Sequence, residues 1–485
     1  MKKFIRYLFF IILFLVLSFF TANYFVSKKI KGLLNDNSTF SYSIFQVNSF
    51  SGNLNLEDVE FIDIAKTIRI KEIDINVDII HYLIHKEIKI EIIDAEGLDL
   101  VFDLSSNSKK ENKSNSELDI ISIEKINLKN AKITLEDGDK TVFEASHIDL
   151  KVKDISMPLI DNYKWLENKS LQAEADSLFY DLDNLHVLKS ERFTFKNHSI
   201  QLSNFKIEPK FSKSDYINHI KTERDLMDLE TKFLKFSQFN FQKKDSIIYI
   251  TSKKIQIDSS NFNIYRDKTI ADDTTIKPLY SKALRELGMK LKIDSLSVLD
   301  LNLTYQELLN KNREPGTIKF NAIQGDVVNL HNFLKNENPD IKAKLKAKFT
   351  EQSDIYFNLS FVPDHERFYL STLIKKVEDK SINSFFAPAM RMKLDGQIDE
   401  IRTSFNGNNS ELNGDFKMAY KQLKLNILKK DDSKNNFASL ISNIFVKHKD
   451  VEESFKLENV KRNKTKSFWN YVWIFHFEGL KKSLL

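Results

Sequence analysis

Across 485 residues the chain carries 42% hydrophobic and 29% charged residues and no cysteine, which excludes disulfides, thiol nucleophiles and cysteine-ligated metal centres. Its formal charge of +5 is concentrated at the ends: residues 1–31 carry +6 and residues 461–485 carry +5, so the body between them is acidic, at −6. An acidic body without a basic stripe argues against nucleic-acid binding, whereas two basic ends suit anionic membrane surfaces.

From Tyr7 to Val26 twenty residues pass without a charge, enough for a helix to cross a bilayer. A cleaved signal peptide would be shorter and end in a small-x-small site, and Thr21-Ala22-Asn23-Tyr24-Phe25 offers a poor one, so an uncleaved anchor is expected. Lys2, Lys3 and Arg6 flank it on one side and Lys28, Lys29 and Lys31 on the other. The short N-terminal tail makes a cytoplasmic N-terminus and an exported body the easier topology. A cysteine-free chain of this size fits an exported bacterial protein.

A short helix is expected at Ile79 to His85, with His81 and His85 one turn apart. Two histidines at that spacing can share a metal, but Tyr82 stands where a zinc protease carries its glutamate, and two solvated histidines are the plainer reading. Next comes a spacing that recurs: apolar residues at offsets 0, 2, 5, 7, 10, 12 and 14. Ile88, Ile90, Ile93, Ala95, Leu98, Leu100 and Phe102 form the first copy. Ile121, Ile123, Ile126, Leu128, Ala131, Ile133 and Leu135 form the second, and Leu291, Ile293, Leu296, Val298, Leu301, Leu303 and Tyr305 the third. The apolar matches alone would arise about once by chance in such a chain, but every intervening position of the second copy is polar, which chance does not readily supply. Looser copies start at Phe193 and Ile250.

Between the first two copies, Ser105 to Ser116 reads as a polar loop, and Asp137-Gly138 after the second signals a hairpin returning through Phe143, Ala145, Ile148 and Leu150. Tyr216, Ile217, Ile220, Leu226, Met227, Leu229, Phe233 and Leu234 predict an amphipathic helix over about 214–234. A shorter one follows Pro278, with Leu279, Leu284 and Leu287 apolar and Gly288 placed to stop it. Near the end, the stretch from Ser467 to Leu480 holds Trp469, Tyr471, Trp473 and Phe475 and is too short to span a bilayer. Two readings stand for it: an amphipathic membrane-interface element, or a final piece capping the open end of the β body.

Steps of two keep a side chain on one face of a strand and a step of three swaps it, so seven apolar residues on one face require a bulge or tight turn at each three-residue step. Such irregularities bend a sheet about its apolar side. A β-sandwich would cover that face with a second sheet, but 11 glycines and 7 prolines in the whole chain are few for its many tight turns. The expected fold is therefore mainly β: an N-terminal transmembrane helix, an elongated curved antiparallel groove of repeated strands, a few short amphipathic helices and an aromatic C-terminal segment. The boundaries are 1–31 for the anchor (span about 7–26), 32–460 for the groove body and 461–485 for the basic, aromatic tail.

Catalytic signatures are missing. There is no phosphate-binding glycine loop, serine elbow or kinase motif, and the acidic pairs Asp272-Asp273 and Asp431-Asp432 lie in polar stretches. Neither an enzyme nor a cofactor is expected.

Several stretches together resemble the AsmA-like family of Gram-negative envelope proteins (the TamB/AsmA type), itself similar to bridge-like lipid transfer proteins. The strands Gly52-Asn53-Leu54-Asn55-Leu56-Glu57-Asp58-Val59 and Ile68-Arg69-Ile70-Lys71-Glu72-Ile73-Asp74-Ile75 carry it, then Ala95-Glu96-Gly97-Leu98, Asp294-Ser295-Leu296, Gly316-Thr317-Ile318, Leu394-Asp395-Gly396 and Tyr420-Lys421-Gln422-Leu423. The resemblance implies a bacterial inner-membrane anchor, a periplasmic groove lined with apolar side chains, and a role in phospholipid movement or outer-membrane biogenesis. It makes the seven-position sets the groove residues, membrane lipids and the inner membrane the partners, and an outer-membrane or periplasmic protein a further partner. The alternative is a membrane-tethered scaffold assisting outer-membrane protein assembly, with the same apolar faces buried internally or against a partner.

Overall fold

A computed structural model describes residues 24–25, 27–28, 31–32, 39–85, 87–106, 121–157, 171–244, 246–332, 339–428, 441–446 and 451–484. The expected span 7–26 lies outside these apart from Tyr24 and Phe25, as do most of the loop expected at Ser105 to Ser116 and the pair Asp431-Asp432. Among the described residues no helix is long and apolar enough to cross a membrane. The chain separates into two compact units, one of residues 1–181 and 190–200, the other of 182–189 and 201–485.

In the first unit the strands are β1 (Phe40–Ser41), β2 (Ile44–Asn48), β3 (Asn53–Ile62), β4 (Lys66–Val77), β5 (Lys89–Glu96), β6 (Asp99–Asp103), β7 (Ile121–Asp137), β8 (Lys140–Met157), β9 (Gln172–Ala175) and β10 (Ser177–Asp181), with helix α1 (Ile79–His85) after β4. After β10 the chain gives most of β11 (His186–Ser190) to the second unit and β12 (Arg192–Lys196) to the first. β1 and β2 pair with β3, β3 with β4, β4 with β5 and β6, β7 with β8, and β8 with β9 and β10, all antiparallel. β5 and β6 instead run parallel to β7. The hairpin expected at Asp137-Gly138 joins β7 to β8, with Asp137 opposite Lys140 and Gly138 at φ +63°, a value glycine adopts without strain.

The second unit contains β13 (Ser199–Pro209, from Gln201 on), β14 (Asp225–Ser237), β15 (Asn240–Lys244), β16 (Ile247–Asp267), β17 (Met289–Leu308), β18 (Gly316–His331), β19 (Ile341–Lys348), β20 (Asp354–Phe361), β21 (Phe368–Glu378), β22 (Met392–Gly407), β23 (Glu411–Leu428), β24 (Ile441–Val446) and β25 (Val451–Lys461). Its helices are α2 (Tyr280–Arg285), α3 (Asp379–Phe385) and α4 (Phe468–Leu484). β16 pairs with both β14 and β15, antiparallel, and with β17, parallel. From β17 to β23 each strand pairs antiparallel with the next, and β23 also pairs with β24 and β25.

Two expectations are corrected. The sheets are mixed rather than antiparallel, because the chain crosses back between β6 and β7 and again between β16 and β17, the latter through residues 268–288 and α2, as a parallel pair requires. The helix expected over 214–234 is a single 3₁₀ turn, Tyr216–His219, followed by the strand β14. Apolar residues there fit either period, and the 21-residue β16 decides the matter by offering a full ladder of backbone partners from Asp225 to Ser237. The helix expected after Pro278 is α2, with Leu279 at its N-cap. Strands of 16 to 21 residues (β7, β8, β16, β17, β18, β22 and β23) match the scarcity of glycine and proline.

Candidate functional site

Residues directly opposite across a ladder project to the same face, so the strand registers convert the apolar spacing into rows that cross the sheet. In the first unit one row reads Phe45, Leu56, Ile73, Ala95, Leu128, Leu150 and Ala173 across seven strands. A second reads Val47, Leu54, Ile75, Ile93, Ile126 and Val152. A third reads Phe40, Phe61, Ile68, Leu100, Ile133, Ala145 and Leu178. The adjacent row on the opposite face, Gln46, Asn55, Asp74, Asp94, Asn127, Lys151 and Gln172, is polar throughout. Its members bond to each other: Asn55 Nδ2 donates to Asp74 Oδ1 at 2.9 Å, and Asn127 Nδ2 to Asp94 Oδ1.

The first two copies of the repeat lie side by side in parallel, position for position: Ile90 beside Ile123, Ile93 beside Ile126, Ala95 beside Leu128, Leu100 beside Ile133 and Phe102 beside Leu135. The looser copy from Ile250 does the same with the third, placing Ile250 beside Leu291, Ile255 beside Leu296, Ile257 beside Val298 and Phe262 beside Leu303. The looser copy from Phe193 is cut between β12 and β13 by Asn197 and His198, both at positive φ.

A shared backbone device stands at one of the two three-residue steps of these copies. At the second three-residue step of each, the residue just before the end of the step is left-handed: Gly97 (φ +67°), Asn130 (+51°), Ser259 (+54°, before the buried Ser260) and Asp300 (+55°). The β7–β8 and β17–β18 registers shift at these steps, between Leu128 and Ala131 and between Val298 and Leu301, which marks them as bulges. The same placement recurs at Asp58 before Val59, His147 before Ile148, Asp154 before Ile155 and Asn329 before Leu330. Asn and Asp tolerate φ > 0 better than other non-glycine residues, which accounts for most of these identities.

Of the candidate groove residues in the first unit, Ile123 is buried together with Val152, Ile155 and Leu171. Ile88, Ile90, Ile93, Leu98, Leu100, Ile126, Leu128, Ile133 and Leu135 are half-buried, and Phe102 is exposed. Ile121 opens β7. Within this unit the element pairs in closest backbone contact are neighbouring strands of the sheet itself, and Leu56, Ala95, Ala145 and Val152 on the apolar rows are buried.

In the second unit an apolar row crosses ten strands: Phe236, Ile255, Leu296, Val327, Ala343, Leu359, Leu370, Phe405, Gly414 and Leu457. Leu291, Leu296, Leu301 and Leu303 are half-buried, while Ile293 and Val298 are buried. Towards β23 and β25 the rows pass into a sealed core beneath α4. Phe475 is fully buried with its ring 4.2 Å from that of Phe405, and Tyr471 is buried too. Trp473 is half-buried against Phe386, and Trp469 alone of the four aromatics is exposed, at 54%. Tyr471 and Phe475 thus face the core of the β body, and Trp469 faces outward.

The His81 and His85 rings lie 4.6 Å apart, and His81 Nε2 is 3.3 Å from Glu87 Oε2. Among the described residues no group of three or more histidine or acidic side chains is placed to hold a metal. His186, which the sequence did not single out, sits buried with Nδ1 3.0 Å from Asp183 Oδ1, the geometry of a catalytic dyad. However, its Nε2 accepts the Met227 backbone N–H at 2.9 Å, leaving no nitrogen to activate a nucleophile. Burial works against the Asp183 carboxylate, but N–H donors from Leu185 and His186 and the His186 ring hold its pKa below the usual range. Beside this pair, burial pushes the Tyr216 hydroxyl up to about 12, while it accepts the Asp267 N–H at 2.7 Å.

The sequence reading did not single out the apolar side chains of β3 and β4 that join these rows. Their signal was present: Leu54, Leu56, Val59 and Phe61, and again Ile68, Ile70, Ile73 and Ile75, follow the first four offsets of the repeat. Comparison with protein-family models and with curated proteins finds no match for this chain.

Proposed function

We propose that the chain is a non-enzymatic, membrane-anchored lipid carrier of the AsmA-like type. In this reading residues 7–26 cross a bacterial inner membrane, the body lies in the periplasm, and the apolar rows take phospholipid acyl chains during transport between membranes or outer-membrane biogenesis. The observation that supports it is the set of uninterrupted apolar rows on one face of the first unit, backed by a polar row on the other. Seven strands at about 4.8 Å make such a row about 29 Å long. Exposing a sixteen-carbon chain to water costs about 12 kcal/mol at about 0.8 kcal/mol per CH₂, and a row of this kind removes most of that cost while the headgroup stays in water. No nucleophile, metal or nucleotide site is needed.

The test is to purify the full chain from membranes in mild detergent and quantify extracted phospholipid by mass spectrometry. The expected result is at least one phospholipid per chain, with Ile133→Glu lowering that content while the circular dichroism spectrum is retained, because a carboxylate set among acyl chains is costly. A stoichiometrically empty wild-type protein refutes the reading. A tethered scaffold for outer-membrane protein assembly is the second reading, favoured by the α4-covered half of the second unit, where the same kind of face is used up in the protein's own core.

A further inference from the structure

At one end of the first unit's strands, the turn between β2 and β3 and the base of α1 are fastened together. Val77 N donates to Gly52 O at 3.0 Å, and a Cβ on Gly52 would meet Val77 O at 1.9 Å, so this contact admits only glycine. Asp78 starts the helix, its Oδ1 accepting the His81 N–H at 2.8 Å. A seven-residue helix held this way would be expected to turn its apolar residues inward. Instead Ile80 is 71% exposed, Leu83 63% and Ile84 68%, and Phe50 at the neighbouring turn is exposed as well. None of these belongs to the buried clusters of the unit. Ile80, Leu83 and Ile84 thus give the helix an exposed apolar surface.

The chain itself indicates what lies next to it. Lys31 Nζ stands 5.3 Å from the centre of the Phe45 ring, on β2. Val26, the last residue of the uncharged stretch, precedes Lys31 by five residues, at most about 18 Å of chain. Phe45 in turn precedes Asn48, where the turn begins, by three residues, about 10 Å along the strand. With the lengths of the two side chains included, a bilayer holding residues 7–26 therefore comes within about 45 Å of the turn at Asn48, to which the base of α1 is fastened, and Lys28, Lys29 and Lys31 favour anionic headgroups at its surface.

We infer that α1 and the Phe50 turn form a second membrane contact, in which Ile80, Leu83 and Ile84 dip into the interface of the bilayer that holds the N-terminal anchor. The inference rests on the anchor reading above. It has a consequence for the groove: β2 is the edge strand at which the apolar rows start, through Phe45 and Val47, and a helix seated in the interface beside it sets that edge against the lipid source.

The absence of cysteine allows single-cysteine spin labelling of the full chain in vesicles of phosphatidylethanolamine and phosphatidylglycerol. Labels are placed by Leu83→Cys and Ile84→Cys, with Ser18→Cys inside the expected span and Lys71→Cys on an exposed strand position as references. The expected result is that labels at 83 and 84 collide more with oxygen than with a water-soluble nickel complex, as at 18, with the reverse at 71. If 83 and 84 behave like 71 while 18 is immersed, the second contact is refuted and the anchor stands. Low collision with both reagents at 83 and 84 also refutes it, in favour of a protein partner. An aqueous label at 18 overturns the anchor reading, and this inference with it.

Discussion

Phe475→Ala is the sharpest perturbation of the capped end. The Phe475 side chain is fully buried, stacked on Phe405 at 4.2 Å and within one helical turn of Gly479, which lies so close to Phe416 that a Cβ there would come within 2.1 Å. Truncating a buried phenylalanine costs about 3–5 kcal/mol, and at a contact this tight little collapse can fill the cavity. Taking 3 kcal/mol, the equilibrium for opening α4 shifts roughly 150-fold, a large part of the roughly 5–15 kcal/mol that hold a typical domain together. Urea unfolding of the full chain in detergent, with limited proteolysis after Lys481 and Lys482 as the local probe, reads both the global loss and the release of the helix. Trp469→Ala serves as the control, because its side chain is half in solvent and its removal should cost under about 1.5 kcal/mol. If both variants unfold at the wild-type midpoint, or if Trp469→Ala proves the costlier, α4 does not dock through the face described and the capping argument fails.

Two further outcomes follow from local features. Asn130→Val forces a β-branched residue to φ +51° at a bulge and should destabilise the first unit by about 1–3 kcal/mol, whereas Asn130→Gly should be close to neutral; equal melting temperatures for the two variants would contradict the left-handed assignment. His476 has its pKa lowered by burial, only partly offset by its Nδ1 bond to the Val472 carbonyl at 2.9 Å, and its Nε2 accepts from the Thr372 hydroxyl at 3.0 Å. Since the unfolded chain takes up the proton first, stability should fall as pH drops below about 6.5, by up to about 1.4 kcal/mol per pH unit, and His476→Gln should flatten that slope between pH 6.5 and 5.5 in denaturation midpoints.

The one-sidedness of the strands was legible because it is written twice, in the apolar positions and in the polar ones between them. The three-residue steps even required a backbone irregularity, and Gly97, Asn130 and Asp300 supply it at the second step of each copy. What the residues did not disclose was pairing. Nothing in the spacing states that Ile90 sits beside Ile123 in parallel rather than across a hairpin, because both arrangements keep the face. The 214–234 region failed for a related reason: Leu226, Leu229 and Phe233 suit a helix viewed alone, and only the length of β16 opposite them selects a strand. The inward orientation of Tyr471 and Phe475 was undecidable from a segment that is apolar on most sides, since its surroundings, Phe405 and Phe416, lie far away in the chain.

The side-by-side copies also say how such a body can grow. Equivalent positions in the first parallel pair are separated by a constant 33 residues and in the other by 41, and each pair keeps its left-handed residues level. A tandem duplication of one such segment would seat its daughter against its parent with the kinks already aligned, widening the sheet by about 4.8 Å without redesigning any turn. Reach in this architecture is then a matter of gene length, adjustable one strand at a time.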